Sequence, residues 1–123
     1  MHKYIVKHPG HAPEVIEVEK IGLSDLQHHV EGLITMPWWP GDEKGIDLIG
    51  NDEAILMRMP PHLGYMCGDE PMIIFGPVVF VGHDDEGETI GLTDDQIEET
   101  KILLSKASED VGPMILKIKL GMA

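Results

Sequence analysis

The chain has 123 residues, of which 42% are hydrophobic, and it carries a formal net charge of −13. A chain of this length buries roughly two-thirds of its unfolded surface, which is enough for one core, so residues 1–123 are expected to form a single domain. The charge argues against general nucleic-acid binding, which needs cations that displace counterions. The single cysteine, Cys67, excludes an internal disulfide and a cysteine-rich zinc site.

The first third of the chain predicts a β-hairpin followed by a short helix. Alternating apolar and polar residues place the hairpin at residues 3–20. A helix is expected at residues 24–31, because Ser24 can cap its first turn and Gln27 can reach back to the cap, as in a capping box. Gly32 is expected to end that helix in the left-handed conformation.

The middle of the chain predicts short strands separated by turns. Strands are expected at residues 33–38, 46–49 and 54–59, with a turn at residues 50–53 between the last two. The two prolines that open residues 60–65 predict a loop there. Residues 72–81 form the most apolar run and predict a buried strand that bends at Gly76-Pro77.

A second helix is expected at residues 94–107. It begins at Thr93-Asp94-Asp95-Gln96, which predicts another capping box. The pattern as a whole predicts an α+β fold with a mostly antiparallel sheet, an N-terminal hairpin and two helices. The expected core includes Ile5, Val15, Leu26, Val30, Ile74, Val79, Ile97 and Leu104.

The end of the chain, residues 111–123, predicts a C-terminal strand extension. Its apolar residues within 114–120 alternate with Lys117 and Lys119, as in a strand with one apolar face. A bare apolar strand promotes aggregation, so this segment is expected to pair with its own sheet or with another subunit, which favours a homo-oligomer. Truncation after Asp110 is expected to lower the oligomeric state measured by light scattering.

Seven short segments in a fixed order carry a resemblance to a known family. They are Pro9-Gly10-His11-Ala12-Pro13-Glu14-Val15, Asp25-Leu26-Gln27, Val30-Glu31-Gly32-Leu33-Ile34, Asn51-Asp52-Glu53, Pro60-Pro61, the run 74–82 and Gly91-Leu92-Thr93-Asp94-Asp95-Gln96-Ile97. They resemble a family of small proteins of unknown function encoded by phages and plasmids, and the resemblance covers roughly residues 3–104. The resemblance implies a compact α+β protein of mobile-element origin and supplies no catalytic residues. The insert 37–45 and the tail after Val111 depart from the usual plan.

Three side chains are candidates for ligand binding: Trp38, Trp39 and Arg58. Consecutive strand residues face opposite ways, so one tryptophan can lie in the core while the other is presented at the surface, where it can stack on a base or anchor a partner. The preferred interpretation is that both close over the core or over a dimer seam. Arg58 is the only arginine, and it can hold a phosphate if it lies near the tryptophans or else pair with a carboxylate.

No catalytic residue, metal site or cofactor is predicted. The serines lack a nucleophile elbow, and the seven histidines include no HExxH motif. His28 and His29, adjacent on the expected helix, point about 100° apart and do not suit one ion. The N-terminus has no signal-peptide shape, and the longest apolar stretch, residues 71–82, is too short to span a membrane, so a cytoplasmic location is expected.

The preferred functional hypothesis is therefore a non-enzymatic binding protein, which sequesters a small nucleotide-derived host signal and so counters host defence. The first alternative is an acidic inhibitor that imitates DNA and blocks a host DNA-binding enzyme, as the net charge favours. The second is a structural accessory protein without a ligand. The expected partners are a nucleotide-like ligand or a host protein, with neither direct nucleic-acid contact nor a membrane.

Overall fold

The computed structural model describes residues 1–107, and the expected strand extension at 111–123 lies outside that range. The described part confirms the α+β class with an antiparallel sheet, an N-terminal hairpin and two α-helices. Its elements in chain order are β1 His2–Lys7, β2 Glu14–Val18, α1 Leu23–Val30, β3 Ile34–Thr35, a 3-10 helix Pro40–Lys44, β4 Ile46–Asn51, β5 Pro61–Cys67, β6 Glu70–Phe75, β7 Val78–His83, β8 Thr89–Ile90 and α2 Asp94–Lys106.

The main sheet has the strand order β2-β1-β7-β4-β3, and β8 pairs with the end of β7. All of these neighbours are antiparallel, and the central register sets Ile5 opposite Phe80 and Val6 opposite Val79. Strands β5 and β6 form a separate two-stranded antiparallel sheet. In the part of the chain that the structure describes, neither helix is long and apolar enough to cross a membrane.

The main sheet is buried on both of its faces. Successive residues of β1 and β7 point to opposite sides, and consecutive residues of both strands are buried. Helix α1 covers one face, with a buried cluster of Tyr4, Val6, Leu26, Val30, Ile49, Val79 and Val81. Helix α2 and the β5–β6 hairpin contribute to the cluster on the other face, which contains Ile5, Trp39, Ile46, Leu48, Leu63, Ile74, Val78, Phe80, Leu92, Ile97 and Leu104. The domain therefore has two cores, one on each side of a shared sheet.

The expected core is confirmed except at one position. Ile5, Leu26, Val30, Ile74, Val79, Ile97 and Leu104 are all buried. The prediction for Val15 is wrong, since this side chain is 39% exposed. Val15 pairs with Ile5, but it lies on β2, the outermost strand, where no further strand continues the sheet.

The predicted strand at residues 54–59 and the predicted loop at 60–65 are both wrong. Residues 52–58 form consecutive turns, and β5 occupies most of the expected loop. The buried Asn51 side chain explains the turn, because its oxygen accepts from the backbone amide of Glu53 at 2.7 Å while its amide donates to the carbonyl of Val30 at 2.8 Å. The strand expected at 33–38 is likewise reduced to Ile34–Thr35.

The apolar run at residues 72–81 bends at Gly76, as predicted, but the bend separates two sheets. Residues before it belong to β6 of the small sheet, and residues after it belong to β7 of the main sheet. Gly76 has a φ of 79°, and an added Cβ would lie 2.5 Å from the sulfur of Met59. Glycine is therefore required where the chain crosses between the sheets.

The two predicted capping boxes have different outcomes. At α2, the Thr93 hydroxyl accepts from the Gln96 amide at 3.1 Å, and the Gln96 side chain accepts from the Thr93 amide at 2.9 Å, which confirms the prediction. At α1 the prediction is wrong, because the N-cap is Gly22 and Ser24 lies inside the helix. The carbonyl of Gly22 already accepts from Leu26, so the helix begins before Ser24, and the left-handed residue that ends it is Glu31 (φ 66°) instead of Gly32.

Candidate functional site

Trp39 is a fixed part of the core on the α2 side of the sheet. It is 3% exposed, its indole N–H donates to the carbonyl of Ile46 at 2.7 Å, and its ring centroid lies 4.7 Å from that of Phe80. The ring lies directly over Gly41 of the 3-10 helix, where an added Cβ would come within 2.2 Å of the indole. The backbone amide of Trp39 donates to the Asp42 carboxylate at 3.2 Å. The Pro40-Gly41-Asp42 turn thus holds the indole in one orientation.

Trp38 is presented at the surface, where it is 41% exposed. One tryptophan is thus buried and the other exposed, as strand alternation allowed, and the preferred interpretation, in which both close over the core, is wrong. The Trp38 ring lies 6.2 Å from the ring of Tyr65 in a tilted arrangement, and the Tyr65 hydroxyl donates to the Trp38 carbonyl. Burial, with smaller contributions from Asp42 and Cys67, raises the pKa of Tyr65, so its hydroxyl stays protonated at neutral pH.

Arg58 lies in a different region of the surface from the tryptophans. It is exposed in the turn that follows β4 and has a φ of 57°. It lines an open cavity of about 570 Å³ together with residues that include His8, Glu31 and Pro77, whereas Trp39 lines another cavity. The structure therefore does not bring the three predicted ligand-binding residues into one site.

We name the cavity beside Trp39 the aromatic cavity. It has a volume of about 480 Å³ and lies between the start of the 3-10 helix, strand β5 and the end of α2. Its lining is almost wholly apolar: Trp39, Pro40, Leu48, Leu63, Gly64, Tyr65, Met66, Leu103, Leu104, Lys106 and Ala107. The ring of Trp38 lies next to Tyr65 of this lining but does not itself line the cavity. The cavity is large enough to take one flat ring system.

A second cavity, which we name the basic cavity, lies on the other side of Leu104. It has a volume of about 500 Å³ and is lined by Lys7, Gly10, His11, Ala12, Pro13, Lys101, Leu104 and Ser105. The side chain of Leu104 lines both cavities, and the last turns of α2 form the wall between them. The two cavities are therefore neighbours that meet at one leucine.

Lys7 is the buried cation of the basic cavity. Although it carries an ammonium group, it is only 4% exposed. Its Nζ lies 3.3 Å from Nε2 of His62 and 3.3 Å from the carbonyl oxygen of His8. His62 is 2% exposed, and its Nδ1 lies 2.8 Å from the carbonyl oxygen of Gly76. Strand β5, which was predicted to be a loop, thus positions a histidine that holds the lysine.

The charges around the two cavities contrast with those of the whole chain. The chain has 22 acidic residues, but none in the part that the structure describes lines either cavity. Of the seven lysines and arginines within residues 1–107, three do, namely Lys7, Lys101 and Lys106. Within the described range, the lining of the two cavities therefore contains lysines and apolar side chains but no carboxylate.

The sequence contained one usable signal for this region. Lys7 lies two residues after Ile5 on β1, and strand alternation places it on the same face as that core residue. His62 gave no such signal, because the two prolines before it indicated a loop. Leu104 of α2 was expected in the core, but the sequence did not indicate that this residue lines two cavities.

No curated protein and no solved structure matches the chain. A family model does match, over residues 1–105. The chain belongs to that family, which is described as a domain of unknown function (DUF3846).

Proposed function

We propose that this protein is a non-enzymatic binding protein that takes up the flat, apolar part of a small ligand in the aromatic cavity. The observation that carries the proposal is the lining of that cavity, in which Trp39, Tyr65 and Leu63 surround about 480 Å³ with Lys106 as the only charged side chain of the described lining. Pockets of this size and composition suit small molecules, and aromatic walls favour ring systems such as nucleobases.

Binding is favoured over catalysis by the polar groups of the wall. The indole N–H of Trp39 donates to Ile46, and the Tyr65 hydroxyl donates to Trp38, so both are engaged within the protein. Catalytic proton transfer needs a group that reaches the reacting atom and has a pKa near the working pH, whereas the pKa of Tyr65 is raised. The wall of the aromatic cavity therefore offers a ligand a shape and a contact surface, but no group suited to proton transfer.

The ligand class that we propose is a nucleotide-derived signal. The motif series that resembles phage and plasmid proteins supports this choice, because a mobile element gains by removing a host messenger from solution. Sequestration requires only tight binding, which is consistent with a small domain of this family. On this proposal the protein acts in the host cytoplasm against a defence pathway.

A pair of variants on α2 tests the proposal. Leu103 lines the aromatic cavity, whereas its neighbour Ile102 is 47% exposed and lines neither cavity. In Leu103→Trp the added indole fills the cavity, so nucleotide binding measured by calorimetry is expected to be lost. In Ile102→Trp, which adds the same side chain outside the cavity, binding is expected to persist.

The purified protein should also be analysed by native mass spectrometry for retained small molecules. The proposal is wrong if the wild-type protein neither retains nor binds any nucleotide in a broad panel. If it instead captures a basic host protein, with salt-sensitive affinity that Leu103→Trp leaves unchanged, the acidic DNA-mimic alternative is favoured.

A further inference from the structure

We propose that two copies of this chain associate through the β3 end of the main sheet, where a protruding apolar turn of each copy enters a cavity of the other. The surface that associates, which we name the β3 surface, consists of four side chains that are more than half exposed: Leu33, Met36, Ile55 and Leu56. None of these four residues lines the aromatic cavity. Association through the β3 surface therefore goes beyond the proposed function and does not depend on it.

The two outer edges of the main sheet differ in their protection against association. In the described part of the chain, the outermost strands are β2 and β3. Strand β2 carries Glu14 and Glu17, and charged side chains on an edge strand oppose pairing with another chain. Residues 32–41, which include β3, contain no charged side chain. The β3 edge therefore lacks the protection that the β2 edge has.

The turn after β4 presents apolar side chains to solvent. Ile55 and Leu56 are 71% and 80% exposed, although burial of such side chains is favourable. The backbone amide of Asp52 donates to the carbonyl oxygen of Leu33 at 2.8 Å, so the turn begins directly beside the β3 edge. Neighbouring exposed apolar side chains of this kind mark a surface that binds another molecule.

A cavity of about 230 Å³ lies beside this turn, between β3 and β6. Pro37, Ile73 and Phe75 contribute to its apolar lining. Ile55 and Leu56 line it as well, and their high exposure shows that they stand at its rim and leave it unfilled. Pockets for small molecules usually measure roughly 300–1,000 Å³, so this cavity suits an apolar side chain better than a ligand.

The protruding turn and the cavity lie side by side on one surface, which favours a second copy of the chain as the occupant. In an association with two-fold symmetry, the same surface is used by both copies. Each copy then inserts its own Leu56 into the cavity of the other and receives a leucine in return. The contact is complete after two copies, so it closes as a dimer.

The charges next to the β3 surface also favour a second copy. Asp52 and Glu53 are exposed and line the cavity. Arg58 follows Leu56 by two residues and makes no ion pair with a carboxylate of residues 1–107, although the chain has 22 acidic residues. When the turn of one copy enters the cavity of the other, Arg58 approaches the carboxylates at the rim of that cavity. The two-fold symmetry forms this charge pairing twice.

Sedimentation equilibrium of the full chain tests the proposal at physiological ionic strength, where repulsion between two acidic copies is screened. The wild-type protein is expected to dimerise. Leu56→Glu is expected to weaken dimerisation by about thirtyfold or more, because it places a carboxylate in an apolar cavity that Asp52 and Glu53 already line. Ile102→Glu is the control, since it makes the same change of charge at a 47% exposed position on α2, and it should dimerise like the wild-type protein.

An exchange of charges tests how the two copies are arranged. Arg58→Glu is expected to weaken dimerisation by about tenfold, because it removes a charge-assisted hydrogen bond. Adding Asp52→Arg or Glu53→Arg returns the net charge to that of the wild-type chain, and at least one of these double variants is expected to recover the dimer. Failure of both to recover it contradicts the two-fold arrangement.

A wild-type protein that stays monomeric over the whole concentration range overturns the proposal. A dimer that Leu56→Glu leaves unchanged also overturns it, because the interface then lies elsewhere on the chain. A monomeric wild-type protein that binds a different protein in a Leu56-dependent way shows that the β3 surface binds, but that a second copy is not its occupant.

Discussion

The two faces of the main sheet differ in how completely they are covered. On one face, the single helix α1 packs against a continuous cluster, and Tyr4 donates or accepts a hydrogen bond with His29 at 2.9 Å. On the other face, α2 and the β5–β6 hairpin share the covering, and the aromatic cavity lies where α2 and β5 approach each other. A face covered by one element closes tightly, whereas a face covered by two leaves a seam in which a ligand can bind.

The largest effect is expected from Leu104→Ala, which removes the side chain that separates the two cavities. Leu104 is 9% exposed, so truncation is expected to lower the free energy of unfolding by roughly 2–5 kcal/mol, as measured by chemical denaturation. The aromatic cavity should also widen at this position, which changes the affinity for a ligand bound there.

Leu26→Ala is the matched substitution on the α1 face, where Leu26 is 4% exposed. It is expected to destabilise the protein by a similar amount, roughly 2–5 kcal/mol, without changing ligand affinity under conditions in which both variants are folded. Equal changes of affinity in the two variants would contradict the view that only the α2 face forms the site.

The next largest effect is expected at Gly41, which packs against the Trp39 ring of the aromatic cavity. Gly41→Ala places a methyl group within 2.2 Å of the Trp39 ring and is expected to cost about 1–3 kcal/mol through overpacking. Because the indole must move, the fluorescence of Trp39, measured in a Trp38→Phe background, should shift. Gly50→Ala is the control, since its added methyl group meets only Ile74, at 4.0 Å. An unchanged Trp39 spectrum in Gly41→Ala would show that the ring is not held as described.

A smaller difference is expected between the starts of the two helices. Thr93→Ala removes the hydroxyl that accepts from the Gln96 amide, and it is expected to cost about 1 kcal/mol. Ser24→Ala should change the free energy of unfolding by less than about 0.5 kcal/mol, because Ser24 is an exposed residue within α1 and does not cap it. Thermal denaturation of both variants measures the difference. Equal losses of stability in the two variants would show that Ser24 does cap α1, as the sequence predicted.

The smallest effect is a pH dependence confined to the α1 face. Burial, with smaller contributions from His28 and His8, lowers the pKa of His29 below the ordinary 6.5. The unfolded chain therefore takes up this proton at a higher pH than the folded chain does. Protonation of His29 is therefore expected to lower the free energy of unfolding as the pH falls below about 6.5. This decrease ends once the pH is below the pKa of His29 in the folded protein.

His29→Gln should remove that contribution, whereas His2→Gln, at an exposed position of β1, should retain it. Denaturation curves at several pH values between neutrality and the acid range would measure the slopes of both variants. If His29→Gln has the same slope as the wild-type protein, His29 does not contribute to the pH dependence.

The amino-acid sequence predicted the structural features that depend on residues close together in the chain. Strand alternation predicted the N-terminal hairpin, and the Thr93 capping box predicted the start of α2, because these signals act over only a few residues. Strand alternation also allowed one of Trp38 and Trp39 to be buried and the other exposed, although burial of both was the preferred interpretation. Such local rules are enough to determine the fold class.

Contacts between residues that are distant in sequence decided the turn after β4, the position of Lys7 and the shape of the cavities. The turn after β4 depends on an Asn51 amide that donates to the carbonyl of Val30, and the position of Lys7 depends on His62, which lies 55 residues away. Likewise, the two cavities exist only because α2, β5 and the loop after β1 meet around Leu104. Local propensity selects helices, strands and turns, but the tertiary packing determines which side chains share a cavity, since that depends on distances the linear pattern does not contain.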